Sequence, residues 1–356
     1  MKYKRLGVSN LKVSQFSLGT MTFGQQCDEI ESFKILDHAF DNGINFLDTA
    51  EMYPIYPSKK TFGKTEEIIG KWTKKNKNRD KIIIGTKIAS CHPDGIGATE
   101  LSWIREGGKN LRFDKKNFKQ AIEGSLKRLK TDYIDLYQLH WPERNVPVFG
   151  KLDFKYDPKD INWTPILEVL ENLNDLVKEG KIRYFGVSNE TAWGVMTFLR
   201  YSEKYNLPRI VSIQNCYNLI NRVFDISNSE ISLRENCSLL AYSPIAGGRL
   251  TGKYLNLKKT EKSRYSLWPG RFSRHHTKRG EQAILKYSNL ASKLNISLVS
   301  LAYAFVISRP FVSSCIIGVT SLSQLKEDIK NFYTSLSNKT LSEVNAIHYD
   351  DPNPCV

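Results

Sequence analysis

The sequence predicts an α/β fold, a closed (β/α)8 barrel of the TIM type, and three observations lead there. Eight apolar or β-branched runs of strand length recur along the 356 residues. Between most of them lie segments whose apolar residues repeat at three- and four-residue spacing, as on one face of a helix. The long polar stretches follow the strand runs, on the side where such barrels carry their loops.

The elements follow in order. The opening YKRLGVSNLKVS alternates polar and apolar residues around a turn at Val8-Ser9-Asn10, which predicts a small capping β-hairpin. Strands are expected at 14–19 (SQFSLG), 45–49 (NFLDT), 82–87 (IIIGTK) and 134–140 (IDLYQLH). Four more are expected at 182–188 (IRYFGVS), 210–215 (IVSIQN), 238–243 (SLLAYS) and 315–319 (CIIGV). Such continuous apolar runs suit parallel strands buried on both faces. Helical periodicity covers, among others, Glu29 to Asn42, Asn117 to Leu129, Pro165 to Glu179, Thr191 to Tyr205 and Gln282 to Leu294. Gly43 and Gly180 stand where helix C-caps belong, and Thr164-Pro165 reads as an N-cap followed by proline in the first turn. Long loops are expected at 55–64, 88–114, 141–163 and about 253–280. A doubly wound open sheet competes, but SLGTMTFG lacks the GxGxxG spacing of that fold. With no repeat and no low-complexity linker, residues 1–356 are expected to form one domain.

Composition excludes some classes. The chain carries 52 basic against 37 acidic side chains, a formal charge of +15. The lysines are spread through segments such as KKNKNRDK and NLKKTEK, which reads as a solvated surface rather than a nucleic-acid arm. The six cysteines, Cys27, Cys91, Cys216, Cys237, Cys315 and Cys355, form no CxxC clip, so free thiols in a reducing cytoplasm are expected, and no metal. Cys91 and His92 are neighbours, but a surface loop accounts for them. The start MKYKRLGVSN has no apolar core of signal-peptide length, and the longest apolar window, Val299 to Ile307, is too short for a membrane span. It reads as a buried helix.

Four residues at or just beyond strand ends carry the chemistry: Asp48, Tyr53, Lys87 and His140. A barrel would converge them on one mouth. A free phenol titrates near about pH 10, too high for efficient proton donation at neutrality, and a neighbouring ammonium would bring it down. Asp48 would keep Lys87 charged and oriented, while His140 would hydrogen-bond a substrate oxygen or relay the proton. Each alone has a plainer reading as packing or surface. Their joint occurrence at successive strand ends favours a proton-transfer centre.

The motifs GTMTFG (19–24), GINFLDTAEMY (43–53), SLKRLKTDYIDLYQLHWP (125–142), EGKIRYFGVSN (179–189), AYSPIAGGRLTGKY (241–254) and IIGVTSLSQLKED (316–328) resemble the aldo-keto reductase superfamily in order and essentially end to end. Within it the chain is most similar to the bacterial Tas-type branch, related to the potassium-channel β subunits. The resemblance implies a catalytic tetrad of Asp48, Tyr53, Lys87 and His140 that reduces an aldehyde or ketone to an alcohol with NADPH. Ser188, Asn189 and Gln214 then match the nicotinamide carboxamide site, and Tyr242 the aromatic platform under the ring. Gly19, Thr20 and Met21, with Asp48, lie at the nicotinamide ribose. Ser243, Pro244, Ile245, Gly247, Leu250 and Lys253 match the pyrophosphate stretch, with Arg264, or alternatively Arg271, reaching the phosphates. Gly318, Thr320, Gln324, Glu327 and Asp328 would hold the adenosine 2′-phosphate and adenine, and Thr320-Ser321 also reads as a helix N-cap. Two departures stand here, because the family commonly has Asn at the place of Asp328 and often Arg at that of Gln324. NADP(H) is still expected over NAD(H). Phe23, Tyr53 and Trp141 would wall a pocket suited to planar or apolar carbonyl compounds.

Other functions compete with a small-molecule carbonyl reductase. The channel-associated relatives suggest an NADPH-binding regulatory or sensor subunit. Schiff-base chemistry at Lys87 is disfavoured because Asp48 would keep the amine charged. A homo-oligomer is compatible with the sequence; a nucleic-acid partner is not favoured.

Overall fold

The computed structural model describes residues 1–91, 101–106, 111–255, 263–268 and 273–355. The predicted hairpin is there: β1 (Tyr3–Arg5) pairs antiparallel with β2 (Lys12–Ser14). Leu6, Leu11 and Val13 of this unit pack on Phe46, Leu136, Leu240 and Ile316 from the barrel strands, forming one buried cluster. Lys4 Nζ donates to the carbonyl of Val312 at 2.8 Å, which ties the hairpin to the barrel.

Eight parallel strands follow and close on themselves. They are β3 (Phe16–Gly19), β4 (Phe46–Asp48), β5 (Ile83–Ile88), β6 (Ile134–Leu139), β7 (Ile182–Ser188), β8 (Ser212–Cys216), β9 (Ser238–Tyr242) and β10 (Val312–Gly318). Neighbours in sequence are neighbours in space, and β10 returns to pair with β3, setting Gly318 beside Gly19. Closure leaves no strand edge unpaired. The expected strands all appear, though β4 contracts to three residues and β8 starts at Ser212.

The helices run α1 (Glu29–Asp41), α2 (Lys64–Asn76), α3 (Lys115–Leu129), α4 (Ile166–Lys178), α5 (Ala192–Lys204), α6 (Asn228–Arg234), α7 (Arg264–Leu267), α8 (Lys278–Lys293), α9 (Leu298–Ser308), α10 (Leu322–Asn331) and α11 (Asn338–Asp350). Side-chain caps start many of them: Asp28, Asp114, Thr191, Thr277, Ser297 and Ser321 each accept a backbone N–H from the first turn. Gly43 and Gly180 adopt φ of +79° and +71° just past helices α1 and α4, the left-handed stop expected of them. Thr164 does not cap α4. Its amide donates to Glu143 Oε2 at 2.7 Å, leaving Pro165 at the cap position. Helix α8 starts four residues before the periodicity of the sequence suggests, because Thr277 caps it. The apolar window 299–307 lies within α9, which is packed inside the large core cluster. Among the described residues no single helix is long and apolar enough to cross a membrane.

Candidate active site

Strand register brings the candidate residues together. Asp48 ends β4, Lys87 lies in β5, and His140 follows β6, where its amide donates to the carbonyl of Ile88 at 3.0 Å. Past β4 the chain stays beside β5, with Thr49 N donating to Gly85 O at 2.8 Å and Glu51 N to Lys87 O at 3.1 Å. A turn closed by Tyr53 N and the carbonyl of Ala50 at 3.1 Å then presents the phenol.

The four side chains form one cluster. Lys87 Nζ donates to Asp48 Oδ2 at 2.8 Å and to the carbonyl of Thr49 at 2.7 Å. The other Asp48 oxygen accepts from Gln214 Nε2 at 2.7 Å, and Gln214 also donates to Gln138 Oε1 at 3.1 Å. The Tyr53 ring centre lies 5.1 Å from the Lys87 ammonium and 5.7 Å from the His140 ring, edge to face. Burial lowers the pKa of Lys87, opposed by Asp48. Burial, and then the Lys87 charge, push His140 well below the ordinary imidazole range, which keeps it neutral. Its Nδ1 is buried without a hydrogen-bond partner among the described residues.

Of the four, all but Lys87 open on a cavity of about 900 Å³ at the C-terminal mouth of the barrel. Gly19, Thr20, Met21, Asp48, Tyr53, His140 and Trp141 line one end. Ser188, Asn189, Gln214 and Tyr242 line its floor, and Ser243, Pro244, Ile245, Gly247 and Lys253 continue along it. Gly318, beside Gly19, also lines the cavity, as do Thr320, Gln324, Glu327 and Asp328. The floor is rigidly bonded: Asn189 Nδ2 donates to the His140 carbonyl at 2.9 Å, and Tyr242 donates to Asn189 Oδ1 at 2.6 Å. Gln324 Oε1 accepts from the amide of Thr320 at 2.9 Å and from its hydroxyl at 3.2 Å. Ser321, not Thr320, caps α10. Burial raises the Asp328 carboxyl to about 7, with Glu327 adding to the shift.

Some expected residues stand elsewhere. Phe23 is fully buried in the core between barrel and helices and does not line the cavity, because its ring packs inward at the loop after β3. Leu250 is likewise fully buried in that core. Lys87 lies behind Asp48 with no solvent contact. The side chain of Arg264, and Arg271 and His92 altogether, lie outside the described residues. Conversely, sequence reasoning passed over Arg274. Its guanidinium lies 5.3 Å from the Tyr242 ring centre and 5.7 Å from that of Phe149, and donates to the Tyr242 hydroxyl at 3.3 Å. Arg274 and Phe149 come from loops without periodicity, so no pattern marked them.

The cavity fits a dinucleotide. Its lining joins the polar Ser188, Asn189 and Gln214 to Gly247 and Gly248, which take φ of +63° and +96°. A side chain there would be strained and would crowd a ligand.

The model of the aldo/keto reductase family matches residues 15–348. The chain is 42% identical over 366 residues to protein tas of Escherichia coli (strain K12), covering 99% of this chain and all of that one. It is 32% identical over 349 residues to the uncharacterized oxidoreductase YrpG of Bacillus subtilis (strain 168), covering 98% of this chain and 96% of that one. A probable voltage-gated potassium channel subunit beta of Oryza sativa subsp. japonica is 30% identical over 335 residues, with 93% and 90% covered. With a closed eight-stranded barrel, a buried Asp–Lys pair beside a tyrosine and a histidine, and a match over nearly its whole length, the chain belongs to the aldo/keto reductase family of oxidoreductases.

Proposed function

We propose that this protein is a cytoplasmic, single-domain NADP(H)-dependent reductase of aldehydes and ketones. The observation that carries the reading is that Tyr53 lines the cavity with its ring centre 5.1 Å from the Lys87 ammonium and 5.7 Å from the His140 ring. Bound NADPH supplies the hydride. Tyr53 holds the proton that the developing alkoxide takes, and Lys87 stabilises the phenolate left behind. Asp48 keeps Lys87 charged, and neutral His140 orients the carbonyl oxygen. Ser188, Asn189 and Gln214 bind the carboxamide over Tyr242. Arg274, against Tyr242 and Phe149, supplies a cation to the cofactor beside that platform. The substrate end is walled by Met52, Leu101, Trp141 and Phe149, which supports uncharged, planar carbonyl compounds. Six free thiols among the described residues fit a reducing compartment.

NADPH oxidation followed across aldehydes, α-dicarbonyls and quinones tests the reading, with Tyr53→Phe as control. A loss of at least about a hundredfold in that variant is expected, in line with general-acid contributions of about 10²–10⁴. Turnover of Tyr53→Phe at the wild-type rate would sink the mechanism. Similarity to the channel subunit supports a second reading, an NADPH-holding sensor. Tight NADPH binding without multiple turnovers on any of these carbonyls would favour it.

A further inference from the structure

Glu51 is a carboxylate that the proposed mechanism leaves unused, and it is 1% exposed. It stands two residues before Tyr53, on the turn that presents the phenol. Its Oε1 accepts from the amide of Ala89 at 2.6 Å, two residues beyond Lys87, and from Arg105 Nη1. Arg105 in turn donates from Nη2 to the carbonyl of Ala89 at 2.6 Å and from Nε to Asn117 Oδ1 at 3.1 Å. The carboxylate therefore straddles the two chain segments that carry the phenol and the ammonium. The guanidinium adds a third segment, 101–106, whose Leu101 lines the cavity and packs in one cluster with Met52, Tyr53, Ile104 and Trp141.

Resting on the reductase reading above, we infer that Glu51, paired with Arg105, is a positioning residue that sets the Tyr53 phenol against Lys87 and fixes the Leu101 wall of the substrate end. A buried staple with no part in the reaction would hold the fold and nothing more. The placement argues otherwise. The pair is built around the ends of β4 and β5, where a displacement of about 1 Å costs up to about a hundredfold in rate. Among the described residues the floor made by β7, β8 and β9 shares no hydrogen bond with Glu51 or Arg105, and meets their neighbourhood through Asp48 and the His140 carbonyl.

The test compares wild type, Glu51→Gln, Arg105→Met and Arg105→Lys, reading kcat for a small aldehyde, the NADPH dissociation constant and the melting temperature. Glu51→Gln keeps an acceptor for Ala89 but drops the charge. It is expected to lose about ten- to a hundredfold in kcat with the NADPH constant within about twofold. Arg105→Met is expected to lose kcat similarly, and Arg105→Lys to recover part of it. Wild-type kcat in folded Glu51→Gln overturns the inference. If Glu51→Gln does not fold, Arg105→Lys decides, since unchanged kcat beside a lowered melting temperature also overturns it. Wild type without multiple turnovers would instead refute the reductase reading.

Discussion

Lys87 and Asp48 meet at 2.8 Å with side chains 0% and 5% exposed, a charge pair sealed inside the barrel mouth. Asp48→Asn would strand a buried ammonium without its counter-charge. Loss of one partner of a buried pair typically costs about 3–5 kcal/mol. The expected outcome is a correspondingly lower denaturant midpoint, together with loss of turnover, measured by urea titration and steady-state assay.

His140 gives stability a pH dependence of definite sign. The unfolded chain binds a proton on this ring near the ordinary value of 6.5, whereas the folded chain does so only well below it. Stability from neutral burial is therefore fully present above about pH 6.5 and is lost as pH falls. Urea midpoints at pH 7.5 and pH 5 are expected to differ more for wild type than for His140→Asn.

Asp328 works in the opposite direction. Its carboxyl is raised from 3.8 to about 7, so the folded state holds a proton the unfolded chain has released. That stability is present below about pH 4 and is lost as pH rises through about 7. Asp328→Asn should raise the melting temperature at pH 8 relative to wild type and leave pH 4 nearly unchanged. If this end of the cavity holds the 2′-phosphate, NADPH affinity should weaken from pH 6 to 8 in wild type and much less in Asp328→Asn.

Arg274 is the cation that bridges the Tyr242 platform and Phe149. Burial acts against its charge, but the surrounding Tyr242, Cys216 and Tyr265 raise its pKa overall, so it stays cationic. Arg274→Leu is expected to weaken NADPH binding by about ten- to a hundredfold, the worth of charge-assisted hydrogen bonds of about 1.5–3 kcal/mol. Fluorescence titration of the cofactor measures it, and an unchanged constant refutes the role.

The barrel was legible because buried parallel strands write themselves as continuous apolar runs, as in IDLYQLH, and because Gly43 and Gly180 stop helices where only positive φ will do. The tetrad cluster was legible for the same reason, since its members sit at or beside strand ends whose convergence follows from closure. Phe23 misled because an aromatic in a glycine-bounded loop has no pattern separating a core-facing ring from a pocket-facing one. Thr164 misled because a buried carboxylate, Glu143, outcompeted the helix terminus for its amide. Arg274 escaped notice among neighbouring arginines of one aperiodic stretch, where only three-dimensional approach to Tyr242 distinguishes it.

The pairing of Gly318 with Gly19 has a consequence for biosynthesis. Both residues border the cavity, yet they leave the ribosome 299 residues apart, a delay of about 15–60 s at synthesis rates of about 5–20 residues per second. Throughout that interval β3 has an open edge, and the cavity lacks the wall that Gly318 and the residues after it provide. The ring of strands, and the cavity at its mouth, can therefore close only after β10 has been made, so an emerging chain carries every other barrel strand before the site takes shape.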